Sequence, residues 1–245
     1  MKSIYYQLKY ELKKVFRDKT LLMLTYLMPI GFYFMMGFFM IEINPSFLEI
    51  MIPSMSIFTI LTSTLMSIPT TIVDNRNSGV LRSYKINGIS KYQYLLVNTL
   101  SSMIHILLVN TFIMISAYYL FNAPLPINYL SYYLLIILGC FTFTGISSLI
   151  GIVSKSNKTT VLIAQLIYLP SMILSGIMVP KEMMPESIAT ASNIIPTTHL
   201  MNVLNNISFI NAFSAVNIYS IILLVLVSLV AYLVSIFRFS YNENK

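Results

Sequence analysis

Residues 74–94 read DNRNSGVLRSYKINGISKYQY, the one long polar interruption in the middle of a chain that is otherwise apolar segment after apolar segment. This short stretch carries Arg76, Arg82, Lys85 and Lys91. A loop so rich in Lys and Arg between apolar spans is held on the cytoplasmic side of a membrane. Val80, Leu81, Tyr84 and Ile86 offer apolar anchors, Gly79 and Gly88 bracket a short helix, and Arg82, Lys85 and Lys91 add orienting charge. Two readings stay open for residues 74–92: a handle through which a soluble partner drives the surrounding helices, or an ordinary loop obeying the positive-inside bias.

Composition identifies the solvent. Of 245 residues only 9% are charged and 57% are hydrophobic, and the mean hydropathy is +0.78, outside the range of a water-soluble domain of this length. The chain therefore reads as an all-α membrane protein with a single membrane domain over 1–245. Its net charge of +7 lies in short segments flanking apolar spans. Topology and anionic lipid account for that charge, and nucleic acid is not an expected partner. Cys140 is the single cysteine, so neither a disulfide framework nor a metal-ligand spacing is present. Met1 to Thr20 lacks the apolar core and small-residue cleavage site of a signal peptide, so the first span is expected to be retained. Abundant Ile, Asn, Lys and Tyr with few Ala is a habit of low-GC bacteria, which points to a bacterial cell membrane.

Working outward from the loop, apolar segments of spanning length appear on both sides. Before it lie Ile50 to Val73 and, behind the short acidic turn Glu42 to Glu49, Thr20 to Ile41 with Pro29 as a kink site. After it come Leu95 to Phe121, Tyr129 to Val153, Thr159 to Met178 and Val216 to Phe237. Residues 1–19 form an amphipathic helix in the headgroup layer, because Ile4, Tyr5, Leu8, Leu12, Val15 and Phe16 make a stripe and Lys2, Lys9, Lys13, Lys14 and Arg17 surround it. Residues 179–211, with Pro180, Lys181, Glu182, Pro185, Glu186 and Pro196, are too polar and interrupted to span. They read as a pair of short re-entrant helices in the outer leaflet. With six spans and both termini cytoplasmic, every one of the 15 Lys and Arg residues except Lys181 falls inside, while Glu42, Glu49, Glu182 and Glu186 fall outside. A wrong span count would scramble that division.

No catalytic constellation is present. There is no G-x-x-x-x-G-K-[ST], and no glycine precedes a lysine, so the chain cannot build a phosphate-cradling loop of that kind. No span carries Asp, Glu, Lys or Arg near its centre, which argues against a self-sufficient ion-coupled pump. His105 is the only ionisable group within its span and reads either as a packed, hydrogen-bonded residue or as a proton carrier. Hydroxyls crowd the second span at Thr59, Ser63, Ser67 and neighbours. They either serve helix packing beside Pro53 and Pro69 or, with Gln165, Tyr168 and Ser175 of the fifth, line a path. Those neutral, mixed residues suit a hydrophobic or amphipathic cargo such as a drug, lipid or peptide better than a bare ion, with a polysaccharide carrier and sodium as open alternatives. A stand-alone channel or a membrane scaffold without a partner is the alternative.

Several motifs in order resemble the permease subunits of type 2 ABC exporters over essentially the whole chain. They are Phe16-Arg-Asp-Lys-Thr-Leu-Leu22, Pro29, Asp74-Asn-Arg-Asn-Ser-Gly-Val-Leu-Arg82, Ser175-Gly-Ile-Met-Val-Pro-Lys-Glu-Met-Met-Pro185 and Pro196-Thr-Thr-His199. Asp74 stands where that family more often has glutamate, and Ile195 where it usually has asparagine. The resemblance implies six spans and a cytoplasmic coupling helix between spans two and three that docks on a separate ABC ATP-binding subunit. It also implies a second permease chain, identical or sister, around a path lined by spans two and five and capped by the re-entrant helices. This chain would hold no cofactor, and ATP and Mg would be bound by the partner. Asp74, Arg76, Gly79, Val80, Leu81, Arg82, Tyr84, Lys85, Ile86 and Gly88 would form the coupling element.

Overall fold

The computed structural model describes residues 2–178, 184–210 and 212–240, and every regular element among them is helical. The expected outer positions of Pro180, Lys181 and Glu182, and the tail charge Lys245, lie outside the described residues. In chain order the helices are α1 (Lys2–Arg17), α2 (Lys19–Ile43), α3 (Phe47–Asn77), α4 (Val80–Ile86), α5 (Lys91–Phe121), α6 (Tyr129–Val153), α7 (Asn157–Leu174), α8 (Glu186–Ala191), α9 (Pro196–Val203) and α10 (Ala215–Arg238). Among the described residues five of these, α2, α3, α5, α6 and α10, are long and apolar enough to cross a membrane. Helix α7 is not among the five: its 18 residues include Asn157, Lys158 and Gln165.

Short polar side chains set the helix starts. Asp18 accepts from the Thr20 and Leu21 amides at 2.9 and 3.2 Å, Ser90 from Gln93 at 3.1 Å, and Asn128 from Ser131 at 3.0 Å. Each satisfies donors that a helix N-terminus leaves without a partner. Proline shapes the interiors. The turn Met23–Leu27 ahead of Pro29 and the turn Thr62–Met66 ahead of Pro69 both widen to π-helix. A proline supplies no amide to the carbonyl four residues back and crowds it, and widening is one way a helix absorbs both effects.

Helix α3 is the centre of the bundle: 89% of its most apolar stretch is buried, against 28% in α2 and in α10. The outer helices instead expose Phe38, Phe39, Leu226, Leu229 and Leu233, as helices facing lipid do. The hydroxyls of α3 act mainly on their own helix. Ser56, Thr59, Thr62, Thr64, Ser67 and Thr71 donate to carbonyls one turn earlier at 2.7–2.9 Å. Ser56 also meets the Tyr132 hydroxyl of α6 at 2.7 Å.

Small residues bring the other helices close. Gly151 of α6 lies against the Pro69 backbone of α3, Gly145 against Ala231 and Tyr232 of α10, and Gly139 against Leu200 of α9. Helix α9 thereby packs within the bundle, where His199 is held between the Ser220 hydroxyl at 2.9 Å and the Asn193 carbonyl at 2.8 Å. At the opposite end of the bundle, α1, α4, the α6–α7 turn and the C-terminus of α10 meet around the polar stretch 74–94.

Candidate functional site

The element between α3 and α5 is built from two glycines and a two-faced helix. Gly79 at φ +76° and Gly88 at φ +73° occupy the left-handed region on either side of α4, where a side chain would add backbone strain. On the inner face, Leu81 is 1% exposed and packs with Ile68, Ile72, Tyr94, Leu95 and Ile152. Tyr84, three residues on and so on the same side, sets its ring 5.9 Å from that of Tyr94 and donates to the Glu11 carboxylate at 3.4 Å. On the outer face, Arg82, Lys85 and Ile86 are exposed, Ile86 at 77%. Val80 is half-buried.

Polar contacts clamp this element to four helices. Arg76, buried at 3% exposure, donates Nη1 to the Ile152 carbonyl at 3.1 Å and Nη2 to the Ser154 carbonyl, closing the C-terminus of α6. A guanidinium suits that position, since it satisfies end carbonyls and sits at the negative end of the helix dipole. Asn75 donates to the Tyr94 hydroxyl at 3.1 Å, and Asp74 accepts from Asn157 at 2.6 Å at the start of α7. Lys91 donates to the Ile236 carbonyl of α10 at 2.8 Å. Asn75, Tyr94, Asn157 and Glu11 escape a reading of the sequence, because ordinary polar residues at helix ends carry no pattern that marks them.

A second polar feature opens beside this element. A small cleft, about 50 Å³ in volume, lies between α1, α2, α3 and α5. Glu11, Ser63, Ser67, Thr71, Asn98 and His105 are among its lining residues. The two helices of the expected path, α3 and α7, pack against each other. Thr59, Ser63 and Ser67 are buried in the bundle, whereas on α7 Gln165 is exposed and Tyr168 is buried. Ser175 is buried with its hydroxyl 3.5 Å from that of Thr198. His105 accepts from or donates to the Tyr26 hydroxyl through Nδ1 at 2.6 Å, which makes it a packed residue of the α2–α5 contact.

Burial, offset in part by Lys14 at 3.9 Å and by the Tyr84 hydroxyl, holds the Glu11 carboxyl above the ordinary carboxylate range. Burial first, and then the Glu11 charge, hold the Tyr84 phenol above its usual range, so it is a donor at neutral pH. Since folded Glu11 keeps its proton more tightly than the unfolded chain does, its contribution to stability is fully present below the unfolded value. That contribution is lost as pH rises through the raised folded value. Glu11→Gln keeps an acceptor for Tyr84 and removes the charge, so its midpoint of thermal unfolding is expected to exceed the parent's at neutral pH and converge on it in acid. An equal difference at both pH values would contradict a buried, charged Glu11.

Fold and site together define a polytopic α-helical membrane protein with a two-faced helix, α4, between its long helices α3 and α5. The chain belongs to the family described as ABC-2 family transporter protein, which matches residues 42–237. It is also similar to the "Putative transport permease YvfS" of Bacillus subtilis (strain 168), with 24% identity over 196 residues, 77% of this chain and 78% of that protein.

Proposed function

We propose that this chain is the membrane-spanning half of an ATP-driven exporter. Helix α4 is the coupling helix, seated in a groove of a separate ATP-binding subunit on the cytoplasmic side, with both termini on that side. The observation that carries the proposal is the division of α4. Leu81 and Tyr84 grip the chain's own core and Arg82 and Ile86 project from α4, while on either side of it Asp74, Asn75 and Arg76 at the end of α3 bond to α7, α5 and α6, and Lys91 at the start of α5 bonds to α10. A handle so fixed transmits displacement to the spans instead of flexing. Helix α7 crosses as a sixth span, since 18 residues rise about 27 Å, close to the roughly 30 Å of a hydrocarbon core. Two permease chains pair around the path, ATP-driven closure of the two ATPase subunits turns it outward, and the cargo is hydrophobic or amphipathic. The neutral, mixed character of Thr59, Ser63, Ser67, Gln165, Tyr168 and Ser175 supports that cargo class.

The test uses the ATP-binding subunit that co-purifies with the tagged chain. An exposed apolar anchor paired with charge is worth about 2 kcal/mol or more at an interface, so Ile86→Asp with Arg82→Glu is expected to weaken co-purification at least about thirtyfold. ATP-dependent export should fall with it, and the thermal midpoint of the isolated chain should not move, because both side chains are exposed. Full retention of the subunit and of ATP-dependent export in that double variant would reject α4 as the coupling helix.

A further inference from the structure

The cleft between α1, α2, α3 and α5 is lined by one carboxylate. Glu11 is buried at 6% exposure, receives one long hydrogen bond, 3.4 Å from Tyr84, and has the Lys14 ammonium 3.9 Å away, beyond hydrogen-bond reach. A carboxylate presents about four acceptor positions, of which the Tyr84 hydroxyl takes one on Glu11. A further group lining the same cleft is buried without a partner: the Ser63 hydroxyl, at 3% exposure.

The hydroxyls along α3 bias the chemistry of that wall. Ser67 and Thr71 spend their protons on the carbonyls of Ser63 and Ser67 at 2.8 Å, leaving oxygen lone pairs as what they offer a ligand. Ser63, Ser67 and Thr71 follow each other one helical turn apart, a ladder roughly 12 Å long. Val15, Leu21 and Ile68 line the same space. Oxygen acceptors, one carboxylate and apolar flanks together match a donor-rich cation on an alkyl stem.

We propose that this cleft binds a primary ammonium head group, with Glu11 as its counter-ion and its alkyl stem against Val15, Leu21 and Ile68. The inference deepens the amphipathic-cargo reading, on which it rests for physiological meaning, by naming the head group that enters from the α4 end. Lys14 is the built-in competitor. Its side chain is more exposed than that of Glu11, 20% against 7%, so it can withdraw when a ligand ammonium arrives. Three N–H donors are needed to reach Glu11 and the hydroxyl ladder together, so a primary amine fits and a quaternary one does not.

The experiment is calorimetric titration of n-butylammonium into the purified chain in a neutral detergent, without ATP or any ATP-binding subunit. n-Butanol and butyltrimethylammonium are the comparison probes. Saturable binding is expected for the primary ammonium, weakened at least about tenfold with either comparison probe. Loss of a charge-assisted hydrogen bond implies a further loss of about tenfold or more in Glu11→Gln. Lys14→Met is expected to bind the amine more tightly than the parent. A thermal midpoint of Glu11→Gln at or above the parent's shows that lost binding is not lost fold. Equal binding of the three probes, unchanged affinity in Glu11→Gln, or weaker binding in Lys14→Met would each overturn the site. Because no nucleotide or partner is present, failure here leaves the exporter reading standing, and failure of ATP-dependent export leaves this binding result standing.

Discussion

Gly151→Ala is expected to lower the thermal stability of the chain by about 1–3 kcal/mol, the usual cost of overpacking an interior. A Cβ at residue 151 would stand 2.7 Å from the Pro69 carbonyl oxygen and 2.9 Å from the Pro69 Cα. Both are backbone atoms of the most buried helix, so neither can swing aside as a side chain would. Helix α6 must move away from α3 at the level where α3 passes from its widened turn into its final turns, and the α4 clamp just beyond depends on that approach. Gly31→Ala is the matched control, because a Cβ there meets nothing within 4 Å. Helix propensity alone predicts a gain for it of up to about 1 kcal/mol. Thermal unfolding of the two purified variants measures the difference, and equal midpoints would show that α3 and α6 are not in close contact.

Arg76→Ala is expected to have a comparable or larger effect, about 3 kcal/mol or more, since it strips donors from two carbonyls that remain in a low-dielectric setting. The Ile152 and Ser154 carbonyls lie at the end of α6, and Ser154 itself is 2% exposed, so water is a poor substitute. Arg76→Lys should recover only part of the loss, because an ammonium cannot reproduce the planar fork that reaches both carbonyls. The order of thermal midpoints, parent above lysine above alanine, is the expected reading. ATP-dependent export should fall in the same order, since the handle would then pivot at its root. An alanine variant with the parent's midpoint would remove Arg76 from the clamp.

The membrane character and the bracketed helix at 74–94 were legible because both depend on local signals. Long apolar segments have no other stable home, and Gly79 and Gly88 fall where the backbone turns left-handed. The faces of α4 were not legible. Val80, Leu81, Tyr84 and Ile86 look equivalent as apolar anchors in a seven-residue helix, and only the positions of Tyr94, Ile152 and Glu11 send Leu81 and Tyr84 inward while Ile86 stays out. The hydroxyls of α3 show the same limit. As a list they fit helix packing and path lining equally, whereas in three dimensions most are bonded to their own backbone, and Ser63 is turned without a partner into the α1 cleft.

By itself the amino-acid order determined the solvent, the helical class, the boundaries of the five long apolar helices to within a few residues and the long polar stretch between α3 and α5. Each of these follows from hydropathy, charge and backbone preference acting over a few neighbouring residues. Which side chains are sealed in, which carboxylate is buried against Tyr84 and which face of α4 is offered outward were decided by tertiary packing alone. Burial is a property of what lies opposite a residue in space, and residues as distant in sequence as Arg76 and Ser154, or Glu11 and Tyr84, come together only when the helices close on one another.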